Sequence, residues 1–335
     1  YGRGEKRDDT TKSLKAAQFL NMPGSGGDPV KAVQNLPGVN RPAPFQSQII
    51  IQGSGPQDTR YLVDGHEVPL IFHFGGLTSV VVPDAIDRVD FLAAGYGPEF
   101  GRANGGIVGL WTRKPKTDRT HGLAFMDLFN AGAMIEGPIG KKSSYLLSAR
   151  RAYIGEVLRL AFKNNSDFNL SVAPSYSDFT GLYTTEISPK DQFRLSAIGS
   201  NDTLKFILKQ PLKQDPSIRG DFYSNTAFYR FIPELEHRHS DRTITRYSLG
   251  LGQDFIKVRN SDNYFTLRTK QITARGELER KVTEEWTTYT GYDNRYTWSY
   301  VDVSFPTRTV AGGVPSPISI GSRRTATISN RYALI

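Results

Sequence analysis

Cysteine is absent from the 335 residues. That excludes a disulfide scaffold, a thiolate metal site and a cysteine nucleophile. Long apolar runs are missing as well: none approaches the roughly 18–20 residues that a membrane-spanning helix needs. Apolar residues make up only 38% of the chain, which fits a soluble protein or a β-barrel, since a barrel strand hides its apolar face at every second residue. No nucleophile elbow and no His-Glu-x-x-His occurs, and the scattered Asp and Glu form no catalytic pair, so the chain reads as a non-enzyme without a cofactor. No phosphate-binding Gly-x-x-x-x-Gly-Lys-Ser/Thr is present, and no Gly-x-Gly-x-x-Gly joins a strand to a long helix. The chain opens on Tyr1 with no Met and no signal peptide, which is the pattern of a mature or trimmed form.

What is present is unevenly spread. Residues 1–115 hold 12 Lys/Arg and 11 Asp/Glu, whereas residues 116–335 hold 30 and 22. Aromatic residues number 10 in the first part and 28 in the second. This break near Lys114-Pro115-Lys116 sets a domain boundary. Basic charge mixed with aromatic rings fits either a nucleic-acid surface or a barrel with aromatic girdles, and strand periodicity has to separate them.

The first part divides at residue 28. Residues 1–27 are polar and Gly-rich and are expected to form an extended arm. Residues 28–115 are expected to form a small mixed α/β domain. Asp28-Pro29 is a helix start, with Asp as N-cap and Pro at the first helical position; Val30, Val33 and Leu36 follow at helical spacing, and Pro37-Gly38 stops the helix. Short strands are expected from Gln48 to Gln52, Asp58 to Val63, Arg88 to Ala93 and Gly106 to Arg113, with a tight turn at Asp64-Gly65. Gly95, Gly97, Gly101, Gly105 and Gly106 crowd into twelve residues, a density that demands tight turns or close backbone approach.

The second part carries strands of unusual length. From Glu285 to Tyr300 the even positions include Trp286, Tyr292, Tyr296, Trp298 and Tyr300, and the odd positions include Asp293, Arg295, Thr297 and Ser299. One face is aromatic and the other polar across a span well beyond the usual globular strand of about 5–6 residues. Tyr247, Leu249, Leu251 and Phe255 oppose Arg246, Ser248, Gly250 and Asp254 in the same way, and Phe193, Leu195 and Ala197 oppose Gln192, Arg194 and Ser196. Leu170, Val172 and Tyr176 are assigned to one face and Ser171, Ser175 and Ser177 to the other. Backbone groups in lipid must be paired within the protein, so only helices or closed barrels span a membrane; without helices, the pattern points to a barrel. A soluble β-sandwich or solenoid is the competing fold.

Five motifs in order across residues 28–113 resemble the plug of a TonB-dependent outer-membrane receptor: Leu36-Pro37-Gly38-Val39, Ile50-Ile51-Gln52-Gly53, Leu62-Val63-Asp64-Gly65, Ile86-Asp87-Arg88-Val89-Asp90, and Phe100-Gly101-Arg102-Ala103-Asn104-Gly105-Gly106-Ile107-Val108. Their plug-motif residues are Pro37, Gly38, Gly53, Asp64, Gly65, Gly101, Arg102, Gly105 and Gly106. Tyr145 to Arg151, after Glu136-Gly137-Pro138-Ile139-Gly140, resembles an early barrel strand following a periplasmic turn. The plug pattern usually has Arg where this chain has Gln52, which removes one possible plug–wall ion pair.

The resemblance implies a mixed α/β plug domain inside an antiparallel transmembrane β-barrel in the outer membrane of a Gram-negative bacterium. The barrel, residues 116–335, would be incomplete, with about ten of an expected 22 strands, and the end at Leu334-Ile335 reads as a truncation. The family takes up scarce nutrients such as metal chelates, cobalamin, sugars or peptides. Its expected partners are TonB, pairing as an added strand with a box upstream of Tyr1, outer-membrane lipid and a nutrient ligand, with no nucleic acid. Ligand contact in the family uses outward-facing plug loops, which by matching are 40–47 and 66–79; the candidates are Arg41, Phe45, Gln46, His66, Phe72, His73 and Phe74. His237 and His239 lack a third ligand for a metal. A signal transducer or adhesin on the same fold, without transport, is the alternative function.

Overall fold

The computed structural model describes residues 11–40, 49–55, 58–74, 76–161, 174–208, 220–260, 263–306 and 317–334. Two sheets of opposite character organise it. The smaller is five-stranded, in the order β1 (Thr11–Lys15), β8 (Ile86–Leu92), β9 (Ile107–Thr112), β4 (Arg60–Val63), β5 (His66–Glu67). Two-stranded ribbons flank it: β2 (Val39–Asn40) with β3 (Ile50–Ile51), and β6 (Phe72–His73) with β7 (Thr78–Ser79). Helices α1 (Ala16–Leu20) and α2 (Pro29–Gln34) pack beside the sheet.

The local causes are legible. The Asp28 carboxylate accepts hydrogen bonds from the amides of Val30 and Lys31, satisfying two of the donors that a helix start leaves unpaired. Asp64 and Gly65 both have positive φ, at 48° and 81°. Leu62 pairs with Glu67 and Val63 with His66, so the two residues form a primed hairpin turn whose twist suits the flanking strands. At Gly106 a Cβ would strike the Leu92 carbonyl oxygen at 2.9 Å and the Ile51 side chain, which is why that strand entry has no side chain. Val30, Val33, Tyr61, Val63, Val89, Phe91, Val108 and Leu110 form the domain's apolar core, and Met134, Leu146, Leu182, Ile198 and Phe228 of the larger sheet extend it.

Residues 11–27 depart from the extended arm expected of them. Β1 pairs antiparallel with β8 along its length, from Thr11 opposite Leu92 to Lys15 opposite Arg88. The Ser13 hydroxyl donates to Asp90 at 2.6 Å, and Phe19 on α1 is fully buried. Polar composition hid the strand because only Leu14 packs on the apolar core, while Lys12 and Lys15 stay exposed. Residues 1–10 lie outside the described residues.

The larger sheet has ten strands in sequential antiparallel order. They are β10 (His121–Met126), β11 (Asn130–Ile139), β12 (Ser143–Ala152), β13 (Ser175–Glu186), β14 (Asp191–Leu208), β15 (Gly220–Ser240), β16 (Thr243–Asn260), β17 (Asn263–Lys281), β18 (Thr287–Pro306) and β19 (Pro317–Leu334), with helix α3 (Ile154–Ala161) after β12. The mixed α/β plug and the incomplete antiparallel barrel wall are therefore both present. Tyr247, Leu249 and Leu251 are each more than 40% exposed, as is Trp298 on β18, while Ser196, Arg230, Gln271 and Asp293 on the other face are buried against the plug. Apolar outside and polar inside is the arrangement of a barrel that meets lipid.

Tyr176 reverses the face assigned to it. It is buried at 1% exposure, while Ser175, Ser177 and Phe179 point outward. The inward position accepts an aromatic ring because it lies flat on His73 of the plug, with centroids 4.0 Å apart. Leu170, Val172 and Ser171 lie outside the described residues.

The connections at the two ends of the wall differ. Residues 140–142, 187–190, 241–242 and 282–286 are the connections at one end, all short, whereas at the other end 153–174, 209–219 and 307–316 are long and 127–129 and 261–262 short. Outer-membrane barrels have short periplasmic turns and longer external loops.

Candidate functional site

The residues with the most elaborate chemistry lie where the plug meets the inner face of the wall, and strands β11 to β18 all contribute. Near the short turns, Arg113 donates both terminal nitrogens to Glu136 on β11, each at 2.7 Å. The Asp64 carboxylate, supplied by the primed turn, accepts from the Thr112 amide at 2.9 Å, the Thr112 hydroxyl at 2.6 Å and the Ser196 hydroxyl of β14 at 2.6 Å. Arg194 of β14 donates to the Thr112 carbonyl at 2.6 Å.

Midway along the wall, Glu67 gathers a cation from each side. Its Oε2 accepts from Arg60 Nη2 at 2.7 Å and from Arg295 Nη1 of β18 at 2.9 Å. Burial pushes this carboxyl up, but Arg60, Arg295 and Arg102 outweigh it and hold the group below the usual carboxylate range. The Glu67 carbonyl accepts from Arg230 Nε of β15 at 2.9 Å, and Arg230 is held in turn by Asp254 at 2.6 Å. Arg275 of β17 donates to the Gly65 carbonyl at 2.6 Å and the Glu99 carbonyl at 3.2 Å. Arg102, in the left-handed region at φ 63°, reaches Asp293 of β18 at 2.7 Å.

Toward the long connections, His73 lies between two wall strands. Its Nδ1 is 2.5 Å from Asp202 of β14, and its Nε2 is 3.1 Å from Asp178 of β13. Burial opposes the charged imidazole, yet the two carboxylates outweigh it and raise His73 above its ordinary range. Arg150 of β12 donates to Asp178 at 2.9 Å, to the Thr78 hydroxyl at 2.9 Å and to the Ser79 carbonyl.

A common chemistry runs through the three levels. Four wall arginines (Arg150, Arg194, Arg230 and Arg275) donate to plug main-chain carbonyls. A guanidinium offers five donors in a fixed fork, so it can hold a carbonyl and a carboxylate together. The basic excess of residues 116–335 thus has an inward use: plug attachment.

The sequence candidates divide sharply. His66 is buried, with Nδ1 2.7 Å from the Thr273 hydroxyl and Nε2 3.0 Å from the Ser248 hydroxyl, both on the wall. Phe72 is fully buried in the plug core. His73 is fully buried against Asp178 and Asp202. These three were expected to face a ligand and instead face plug or wall, because His66 lies on β5 of the sheet itself and Phe72 and His73 lie on the β6–β7 ribbon between the plug core and the wall. Phe74 is partly exposed, 6.2 Å from the Tyr176 ring. Arg41, Phe45 and Gln46 lie outside the described residues. Of the plug-motif positions, Gly38, Gly53 and Gly65 take positive φ, Pro37 precedes the Gly38 turn, the Gly101 carbonyl accepts from Arg60, and Gly105 leaves no room for a Cβ beside Ser54. His237 pairs with Asp191 at 2.6 Å and His239 contacts Thr245; no group of three or more His, Cys, Asp or Glu able to hold a metal ion occurs among the described residues.

Sequence reasoning missed the wall side of this seam: Arg150, Asp178, Arg194, Asp202, Arg230, Arg275 and Arg295. The available signal was a charged residue on the polar face of a strand whose other face is apolar, as at Asp293 and Arg295.

Residues 7–108 match the family model of the TonB-dependent Receptor Plug Domain. No curated protein matches the sequence. Among solved structures, the chain is similar to the outer membrane transporter YddB from Escherichia coli, with TM-score 0.66 and 11% identity over 96% of this chain and 53% of that one. A mutant form of the ferric enterobactin receptor PfeA from Pseudomonas aeruginosa gives 0.61 and 16% over 97% and 54%. The ferric citrate transporter FecA in the unliganded form gives 0.63 and 13% over 97% and 53%. The chain spans about half the length of these structures. It carries a TonB-dependent receptor plug, and plug and wall together have the fold of this part of such receptors.

Proposed function

We propose that this chain is the plug and part of the barrel of a TonB-dependent receptor in the outer membrane of a Gram-negative bacterium. It takes a scarce nutrient at its outer side and admits it to the periplasm when energised movement of the plug opens a path. The observation that carries the reading is the polar seam. The plug's apolar core continues onto the wall's inner face at Met134, Leu146, Leu182, Ile198 and Phe228, while the rest of the seam is fastened by ion pairs and arginine-to-carbonyl hydrogen bonds. Polar contacts can be exchanged for water as they open, whereas an apolar interface would expose greasy surface. A domain held this way can be moved without first being dissolved.

The outer membrane holds no nucleotide supply, so the work comes from the inner membrane through TonB. Strand addition to a box upstream of Tyr1 is the mode by which the pull would be applied. Ligand contact is assigned to Arg41, Phe45, Gln46 and Phe74; His66, Phe72 and His73 are left to hold the plug. Ferric chelates, after which two of the similar proteins are named, are the first cargo to assay.

The test is uptake of radiolabelled ferric chelates by a deletion strain carrying the full-length gene, with and without TonB. Gene-dependent uptake that disappears without TonB is the expected result. Growth on single nutrient sources extends the search to other cargo. Uptake that continues at the same rate without TonB overturns the energised mechanism.

A further inference from the structure

We propose that His73 is a positioning residue that fastens the outer end of the plug: its imidazole bridges Asp178 on β13 and Asp202 on β14, and the β6–β7 ribbon leaves the wall only when that bridge opens. The inference rests on the transport reading for its purpose, but the contact itself can be tested without it.

The geometry fixes the charge state. A neutral imidazole has one donor and one acceptor nitrogen. Here both nitrogens face carboxylate oxygens, at 2.5 and 3.1 Å. Only the imidazolium donates to both; the neutral ring would turn a lone pair toward a buried carboxylate. His73 is fully buried, and its ring is stacked between 4.0 Å centroids with Tyr176 at an interplanar angle of 14°.

The charged groups around it balance. Arg150 on β12 pairs with Asp178 at 2.9 Å and lies over the Tyr176 ring at 5.8 Å. With His73 charged, two cations meet two carboxylates. With His73 neutral, one buried carboxylate is left without a cation, which is costly. On the plug side Asp28 is engaged by the Ser79 amide at 2.6 Å and the Thr78 hydroxyl at 3.1 Å. Asp127, before β11, is engaged by the amides of Phe129 and Asn130. Each of these two acids already has donors of its own, so the charge on His73 answers to Asp178 and Asp202.

The ribbon has a second tie to the same wall region. Arg150 reaches the Thr78 hydroxyl and the Ser79 carbonyl. Both ties converge on Asp178, so opening one weakens the other. The imidazolium is retained more firmly in the closed state than in water. The closed state is therefore fully supported below the ordinary imidazole value, near pH 6.5. Support is lost as pH rises toward the raised value, because opening releases one proton across that window.

The experiment is hydrogen exchange on the full-length receptor in a lipid nanodisc from pH 6 to pH 10, corrected for the intrinsic exchange rate. The expected result is that protection of amides 72–79 falls about tenfold per pH unit above the ordinary imidazole value, the slope of a single proton, while β8 and β9 stay protected. Asp202→Asn should leave the start of protection loss near the ordinary imidazole value and bring its end to lower pH, shortening the window. His73→Gln should lower protection of 72–79 at pH 6 and flatten the profile. A flat wild-type profile overturns the proposal and needs no variant. Loss of β8 protection in step with 72–79 overturns it too, since the transition would then be unfolding of the whole plug. A proton-linked step in a receptor that shows no uptake would keep the bridge and sink the transport reading.

Discussion

The plug's interior is apolar, whereas its seam mixes polar ties with apolar contacts from Met134, Leu146, Leu182, Ile198 and Phe228 of the wall. Inside, Val89, Phe91, Val108 and Leu110 are almost wholly enclosed by other apolar groups. At the seam, Asp64, Glu67, His73 and Arg102 meet Ser196, Arg295, Asp202, Asp178 and Asp293. Apolar burial is non-directional and lost only when the domain opens. A hydrogen bond or ion pair in a wettable seam is replaced by water at modest net cost. One small domain is thus firm within itself and tied to its surroundings largely by contacts that water can replace.

The largest effect should come from the interior. Phe91 is 2% exposed in the core, and Phe91→Ala should cost about 3–5 kcal/mol through lost burial and the cavity left behind. Hydrogen exchange on the full-length receptor should show protection of β8 and β9 falling roughly a hundredfold or more, with the wall strands unaffected. If β8 and β9 kept wild-type protection while the seam opened, the contrast between core and seam would be mistaken.

A smaller effect with a different location is expected at Glu67. Its carboxylate is held below the ordinary range by Arg60, Arg295 and Arg102 against the opposing pull of burial. A group with a lowered value stabilises the folded arrangement fully above its unfolded value, near pH 4.3, and ceases to do so as pH falls through the lowered one. Mild acid should therefore loosen the middle of the seam. Glu67→Gln should remove the acid dependence and cost about 1.5–3 kcal/mol, the range for hydrogen bonds to charged groups. Exchange should increase at β5 and at the β4–β5 turn while β8 stays protected. An equal loss at β8 would show that Glu67 serves the core, not the attachment.

Legibility in the sequence follows the same division. The β18 pattern was readable because the outer and plug-facing sides of the wall carry different chemistry on alternate residues; Tyr292 and Trp298 are exposed while Asp293 and Thr297 are buried. The Asp28 cap and the Asp64-Gly65 turn were readable because each is a local hydrogen-bonding or φ requirement. Tyr176 was misassigned because its inward setting depends on His73, more than a hundred residues earlier in the chain. His66 and His73 had the composition of ligand residues and the environment of fasteners. A side chain's type is written in the sequence, but the partner that decides its role arrives only with the long-range pairing of plug to wall. Β1 was hidden for a related reason, since its pairing to β8 is made by the backbone and by Ser13, while Lys12 and Lys15 stay exposed.

The smallest effect is expected at the one plug motif that departs from the family pattern. Gln52 is exposed, has φ 49°, and donates its amide to the Gly38 carbonyl at 2.8 Å. That backbone bond holds the β2–β3 ribbon regardless of the side chain. An arginine here would have to find an acid on the wall, yet Asp293 and Glu67 already hold Arg102, Arg60 and Arg295. Gln52→Arg should therefore change stability by no more than about 0.5 kcal/mol, as for other exposed substitutions, and leave β2–β3 exchange unchanged. A clear gain in protection across the seam would mean that an acidic partner for residue 52 is present in the full-length receptor, and that the cations gathered around Glu67 do not replace the missing arginine.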